Sequence, residues 1–147
     1  MTSSFSHTLD GPSASLGEGL RALAESPVYG QLPPALRFVA ELIFDELASN
    51  ALKYGGPGRR SIVFQLDFDG EAMRVVLADD GQPFDPWQRA GVAERDAATA
   101  IEDLAIGGRG IHMLKQATDT QHYERREGRN INTLIRSIHS LSPQPVS

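Results

Sequence analysis

Glu46, Asn50 and Lys53 follow one another at intervals of four and three residues within the stretch FDELASNALKYGG, and Val39 and Ile43 precede them on the same rhythm. On an α-helix such a series falls along one face. The line therefore begins apolar and ends with a carboxylate, an amide and an ammonium. A polar group on a face that otherwise turns inward is costly unless something satisfies it. The i, i+4 pair aims the Glu46 carboxylate and the Asn50 amide oxygen into one space. There Asn50 supplies one hard oxygen to magnesium, an ion that keeps several of its waters. Glu46 accepts a proton from an attacking hydroxyl or water, and Lys53, one turn further on, faces phosphate oxygens. The same spacing also describes an ordinary solvated helix edge, and these residues alone do not separate the two readings.

Three further segments carry possible chemistry. In LADDGQPFDP, residues 77–86, a strand runs into Asp79 and then into Asp80, Gly81, Gln82 and Pro83. A carboxylate held at a buried strand end accepts a hydrogen bond from an exocyclic amine such as that of adenine. Gly81 would let the base approach the backbone. The plain alternative is an acidic turn. In IGGRGIHML, residues 106–114, Gly108 and Gly110 lead into a helix whose first N–H groups are free to hold an anion; the alternative is a flexible connector. There is no GxxxxGK[ST] motif, and Gly108-x-Gly110 lacks the third glycine and the preceding strand of a dinucleotide fingerprint. In GRNINTLIR, Thr133 is by itself a plain strand residue. His7, His112, His122 and His139 show no metal-ligand spacing. Trp87 reads as a partly buried loop anchor, and no local motif supports a Ser-His-Asp triad.

These residues need elements to position them. SFSHTLD alternates as a short first strand, and SASLGEGLRALAES places Leu16, Leu20 and Leu23 at helical spacing despite Gly17 and Gly19. Residues 32–56 form the main helix, with Pro33 and Pro34 in its first turn and Gly55-Gly56 as its stop. SIVFQLDFDG and EAMRVVLADDG read as two strands around a tight turn at Asp69-Gly70. A short helix is expected near residues 97–104. A further helix spans GIHMLKQATD, with Ile111, Leu114 and Met113 inward. A closing hairpin turns at Glu127-Gly128. Two hairpins without regular βαβ alternation predict an α+β two-layer sandwich, a mixed, largely antiparallel sheet with helices on one face. A doubly wound parallel sheet is the weaker alternative.

A chain of 147 residues fits one domain, expected over residues 1–140 with a tail at 141–147. The absence of cysteine excludes disulfides and thiolate metal sites. A net charge of −5 argues against direct nucleic-acid binding, because phosphate attraction needs a basic surface. The mixed-sign ERREGR reads as a solvated hairpin end. No apolar run is long enough for a bilayer and no signal core opens the chain, so the expected location is cytoplasmic by default.

DELASNALKYGG, LADDGQPFDP, IGGRGIHMLKQATD and RNINTLIR, in that order, resemble the N, G1 and G2 boxes and last-strand threonine of the GHKL ATPase superfamily. The resemblance covers residues 36–138, and the branch it looks most like is the bacterial anti-sigma factor serine/threonine kinases. It implies ATP and Mg2+ as cofactors, with Glu46 as general base and Asn50 as magnesium ligand. It implies Asp79 as the adenine reader with Gly81 beside it. Gly108, Arg109, Gly110 and Ile111 form the phosphate-contacting glycine box, Thr133 lies near adenine, and residues 84–107 form a lid. Pro83 stands where many relatives have a second glycine, and Arg109 where a small or apolar residue is usual. The implied activity is phosphorylation of a Ser or Thr on a STAS-type antagonist protein. A sigma factor is a competing partner, and a homodimer is left open. Nothing resembling a phospho-acceptor histidine helix or a sensor segment precedes the boxes, which argues against a complete sensor histidine kinase. The alternatives are a nucleotide-gated sequestering module without phosphotransfer, and a simple ATPase.

Overall fold

The computed structural model describes residues 2–10, 15–58, 60–88 and 109–140. Its strands are β1 (Ser3–Asp10), β2 (Ser61–Phe68), β3 (Ala72–Asp79), β4 (Thr120–Arg126) and β5 (Arg129–Ser137). The helices are α1 (Ser15–Glu25), α2 (Pro27–Gln31), α3 (Pro34–Tyr54) and α4 (Arg109–Ala117). The strands make one five-stranded sheet in the order β1-β2-β3-β5-β4, with every neighbouring pair antiparallel. Helices cover one face. This is the expected α+β sandwich, and the sheet is antiparallel at each described pairing.

Alternation decides which side chains meet the helices. Ile62, Phe64, Leu66 and Phe68 on β2, and Met73, Val75 and Leu77 on β3, are buried against Val39, Ala40, Ile43, Phe44 and Leu47 of α3. Phe44 and Phe64 meet edge-on, their centroids 5.1 Å apart. Gly19 belongs to this packing: a Cβ there would overlap the Phe44 ring and touch Leu9. The glycine that weakens α1 as a sequence pattern thus lets it approach α3 and the sheet. The short α2 was not anticipated, although Ser26-Pro27 signals it. Ser26 caps the helix by accepting from the Tyr29 N–H, and Pro27 sits in its first turn.

Both expected turns form. Asp69 Oδ1 accepts from the N–H groups of Glu71 and Ala72, each at 2.8 Å, and Gly70 takes φ 94°. Those two backbone donors hold the exposed Asp69 carboxyl below the usual range. Glu127 and Gly128 have φ values of 52° and 76°, the pair of left-handed residues that a two-residue hairpin loop requires. One side-chain expectation fails. Ile111 and Leu114 point inward, but Met113 is 39% exposed, because it lies at the edge of α4 beside α3 and not on its buried stripe. The helix expected near residues 97–104, Gly108 and the tail at 141–147 lie outside the described residues. No described helix is long and apolar enough to cross a membrane.

Candidate functional site

The long helix α3 carries the polar line as its spacing predicts. Val39 and Ile43 are buried, Glu46 is half-buried, Asn50 is 6% exposed and Lys53 is exposed. Asn50 has no hydrogen-bond partner among the described residues, although it lines a cleft with Leu47, Ala51, Gly55 and Asp79. A nearly buried amide without a partner, open only to a cleft, is suited to a ligand.

Glu46 stands one turn earlier, where α4 begins. A Cβ placed on Gly110 would overlap the Glu46 carboxylate, so glycine alone allows this approach without displacing it. Burial pushes the Glu46 pKa up, the neighbouring Asp45 carboxylate adds to the effect, and the Lys53 ammonium opposes it. A carboxyl shifted toward neutrality is a better proton acceptor near neutral pH than an ordinary glutamate. Gly110 and Ile111 belong to the first turn of α4, whose N–H groups have no partner within the helix. Ile111 itself is buried in the core. Arg109 opens α4, and its side chain lies outside the described set.

The far side of the cleft is the end of β3. Asp79 is 5% exposed and pairs across the sheet with Asn130. Its Oδ1 accepts from the Gly81 N–H at 2.8 Å and from Asn130 Nδ2 at 3.0 Å. Oδ2 is left without a partner among the described residues. The Asn130 Nδ2 also donates to the Gln82 carbonyl, at 2.8 Å. Its Oδ1 accepts from the Tyr123 hydroxyl, the Phe84 N–H and Arg125. Arg125 also donates to the Gly81 carbonyl at 2.6 Å, so this member of the ERREGR cluster anchors the loop while remaining exposed, as the rest of the hairpin end is. Gly81 is small for a packing reason: its Cβ would lie 2.8 Å from Gly55 Cα and 2.9 Å from Asp79 Oδ1. The loop then caps α3, with Gln82 donating to the Gly55 and Tyr54 carbonyls.

Thr133 is a correction. Asn130, Asn132, Leu134 and Arg136 are the buried residues of β5, and the alternate residue Thr133 lies on the opposite sheet face, paired with Val76 and His122. The β5 side chains that reach the cleft are Asn130 and Asn132. Trp87 is the expected anchor: its indole N–H donates to Asn132 Oδ1 at 3.0 Å. Phe84 stacks on Tyr54 at 4.8 Å. With Phe84 and Pro86 across its mouth, the cleft holds a volume of only ≈ 10 Å³. As it stands, the cleft is too small for a purine.

The site thus has a half-buried base at a glycine-lined helix start, an amide without a partner among the described residues, and a carboxylate at a strand end. Among the described residues no group of three or more His, Cys or acidic side chains forms a metal cage. The donor set fits magnesium in the form Asn50 offers: one protein oxygen, with phosphate and water as the remaining ligands.

Residues 13–136 match the family model of the histidine kinase-like ATPase domain. The chain belongs to that family, an ATP-binding fold. It is also similar to the serine/threonine-protein kinase BtrW of Bordetella bronchiseptica, with 28% identity over 101 residues, 67% of this chain and 69% of that protein.

Proposed function

We propose that the protein is an ATP-dependent serine/threonine kinase of the anti-sigma factor type, whose acceptor is a hydroxyl on a STAS-type antagonist protein and which competes for a sigma factor. The observation that carries the reading is the Glu46 carboxylate, raised in pKa and held against Gly110, one turn from Asn50, which has no partner among the described residues. A pure sequestering module has no use for a base at this point. The name of the Bordetella relative supports the same reaction class.

In this mechanism Asp79 Oδ2 takes the adenine amine, and the base stacks into the cleft once residues 84–87 swing outward. The first-turn N–H groups of α4, with Lys53, hold the phosphate chain. Asn50 would hold Mg2+, which supplies charge neutralisation on the phosphates when bound. Glu46 takes the proton from the acceptor hydroxyl as its oxygen attacks the γ-phosphorus, and the bond from that phosphorus to the ADP oxygen breaks. Phosphoryl transfer leaves little covalent work to the protein, so positioning and the accepted proton are its main contributions.

The test incubates the protein with γ-labelled ATP, Mg2+ and purified STAS-domain proteins. Label on a serine or threonine of one of them is expected. ATP binding with no transfer to any partner would favour the nucleotide-gated module, and phosphate release alone would favour the simple ATPase.

Gly110→Ala separates fold from chemistry. The overlapping atoms are the tip of a flexible side chain, so the carboxylate yields and the helix stays. Gly110 lies in the first turn of α4, where alanine is tolerated at least as well as glycine and the helix-interior gain does not apply in full. The variant should melt no lower than the parent in a thermal scan, yet transfer label at least about tenfold more slowly, since a base moved by 1 Å can cost up to about a hundredfold.

A further inference from the structure

Phe38 and Met113 are 51% and 39% exposed on the neighbouring helices α3 and α4. Between them runs a largely apolar groove of ≈ 270 Å³, lined also by Val39, Leu42 and Ala117, with Gln116 and the buried Arg136 as its polar members. Phe38 and Leu42 also line a second cleft, whose polar residues are Glu41 and Asp45. Large apolar side chains gathered at an acidic rim mark a contact surface.

The groove has a direction. Phe38, Leu42 and Glu46 are each four residues apart, so one row of α3 leads from the groove to the Glu46 carboxylate, about 12 Å along the axis. On the other wall Met113 comes three residues after Gly110, the glycine that meets Glu46. Both walls therefore end at the same carboxylate.

We propose that this groove is the docking site of the protein whose hydroxyl is phosphorylated, an inference that rests on Glu46 being the base. The occupant is a segment with an apolar anchor between Phe38 and Met113. Lysine or arginine beside the anchor faces Asp45 and Glu41, the latter accepting from the Tyr29 hydroxyl through Oε2. The acceptor serine or threonine lies about 12 Å from the anchor, the span from Phe38 to Glu46 along the axis. A second copy of the chain fits less well: two such rims would oppose like charges on molecules that already carry −5 each.

The probe is a purified STAS-domain protein, and the variants are Phe38→Glu, with Phe38→Ala and Met113→Gln as milder changes in the full chain. Calorimetry reads its affinity, label transfer reads KM and kcat, and a thermal scan and ATP titration check fold and site. A central anchor lost from an interface weakens binding by about tenfold or more. Phe38→Glu should therefore raise Kd and KM for the probe by about that factor, with ATP affinity, melting temperature and kcat at saturation within about twofold of the parent. Unchanged Kd and KM in both Phe38→Glu and Met113→Gln would overturn the docking site. If the parent binds the probe but transfers no label, the kinase reading fails and Kd alone decides the groove. No binding by the parent overturns this occupant. A dimer that becomes monomer on Phe38→Glu assigns the groove to a second copy, and also overturns it.

Discussion

Glu46→Gln is expected to abolish phosphoryl transfer, by about 10²- to 10⁴-fold in rate, while ATP binding stays within about twofold. The glutamine keeps the length and the packing against Gly110 and removes only the proton acceptor. For the parent, the transfer rate should fall on acidification through a pKa higher than that of an ordinary glutamate, since burial raises the group and Asp45 reinforces it. The same shift carries a stability consequence of definite sign. Between the unfolded glutamate pKa, about 4.3, and the raised folded value, the native state binds more protons than the unfolded chain. Stability therefore falls as pH rises through that window, and the penalty is complete above it. Glu46→Gln lacks the penalty. The variant should therefore melt slightly higher than the parent at neutral pH, and the gain should vanish near pH 4. An unchanged transfer rate would remove Glu46 from the mechanism. A variant that melts lower at neutral pH would show that the carboxylate is structural.

The parts of the site that follow from one helix were legible in the sequence, because a helical period fixes which side chains share a face. Val39, Ile43, Glu46, Asn50 and Lys53 fall on their line as spacing requires. What spacing does not carry is parity on a strand: moving the chosen residue by one position exchanges the two faces of the sheet. Thr133 was named where Asn130 and Asn132 face the cleft, and two asparagines look like surface residues until the register pairs Asn130 with Asp79. Arg125 was hidden for a similar reason. Within ERREGR nothing distinguishes the arginine that reaches Gly81 from Arg126, which pairs with Glu124 at the surface. Met113 was misplaced because a methionine on an amphipathic helix reads as core, whereas its exposure follows from which helix lies alongside. Glycine was legible as a signal, but its packing reason was not. Gly81 is required by Gly55 and the Asp79 carboxylate, and Gly110 by Glu46.

Asp79→Asn is expected to lower ATP affinity about a hundredfold while leaving the fold nearly unchanged. Asparagine Oδ1 can still accept from the Gly81 N–H and from Asn130, so the bonds that tie β3 to its loop and to β5 survive. The atom in place of Oδ2 becomes an NH2 group, a donor facing the donor of the adenine amine. The site then loses a charge-assisted hydrogen bond and leaves two donors opposed, a change of about 2–3 kcal/mol. The substitution should also erode selectivity, because guanine presents an acceptor where adenine presents an amine. Calorimetric titration of ATP and GTP into parent and variant reads both effects. The single tryptophan gives an independent signal. Trp87 donates to Asn132 beside the cleft, so nucleotide entry must break or shift that contact. Indole fluorescence should change on ATP addition to the parent, and in Asp79→Asn only at about a hundredfold higher concentration. Equal ATP affinity in the two proteins would place adenine elsewhere. Fluorescence that ignores saturating ATP would show that residues 84–87 do not move to admit it.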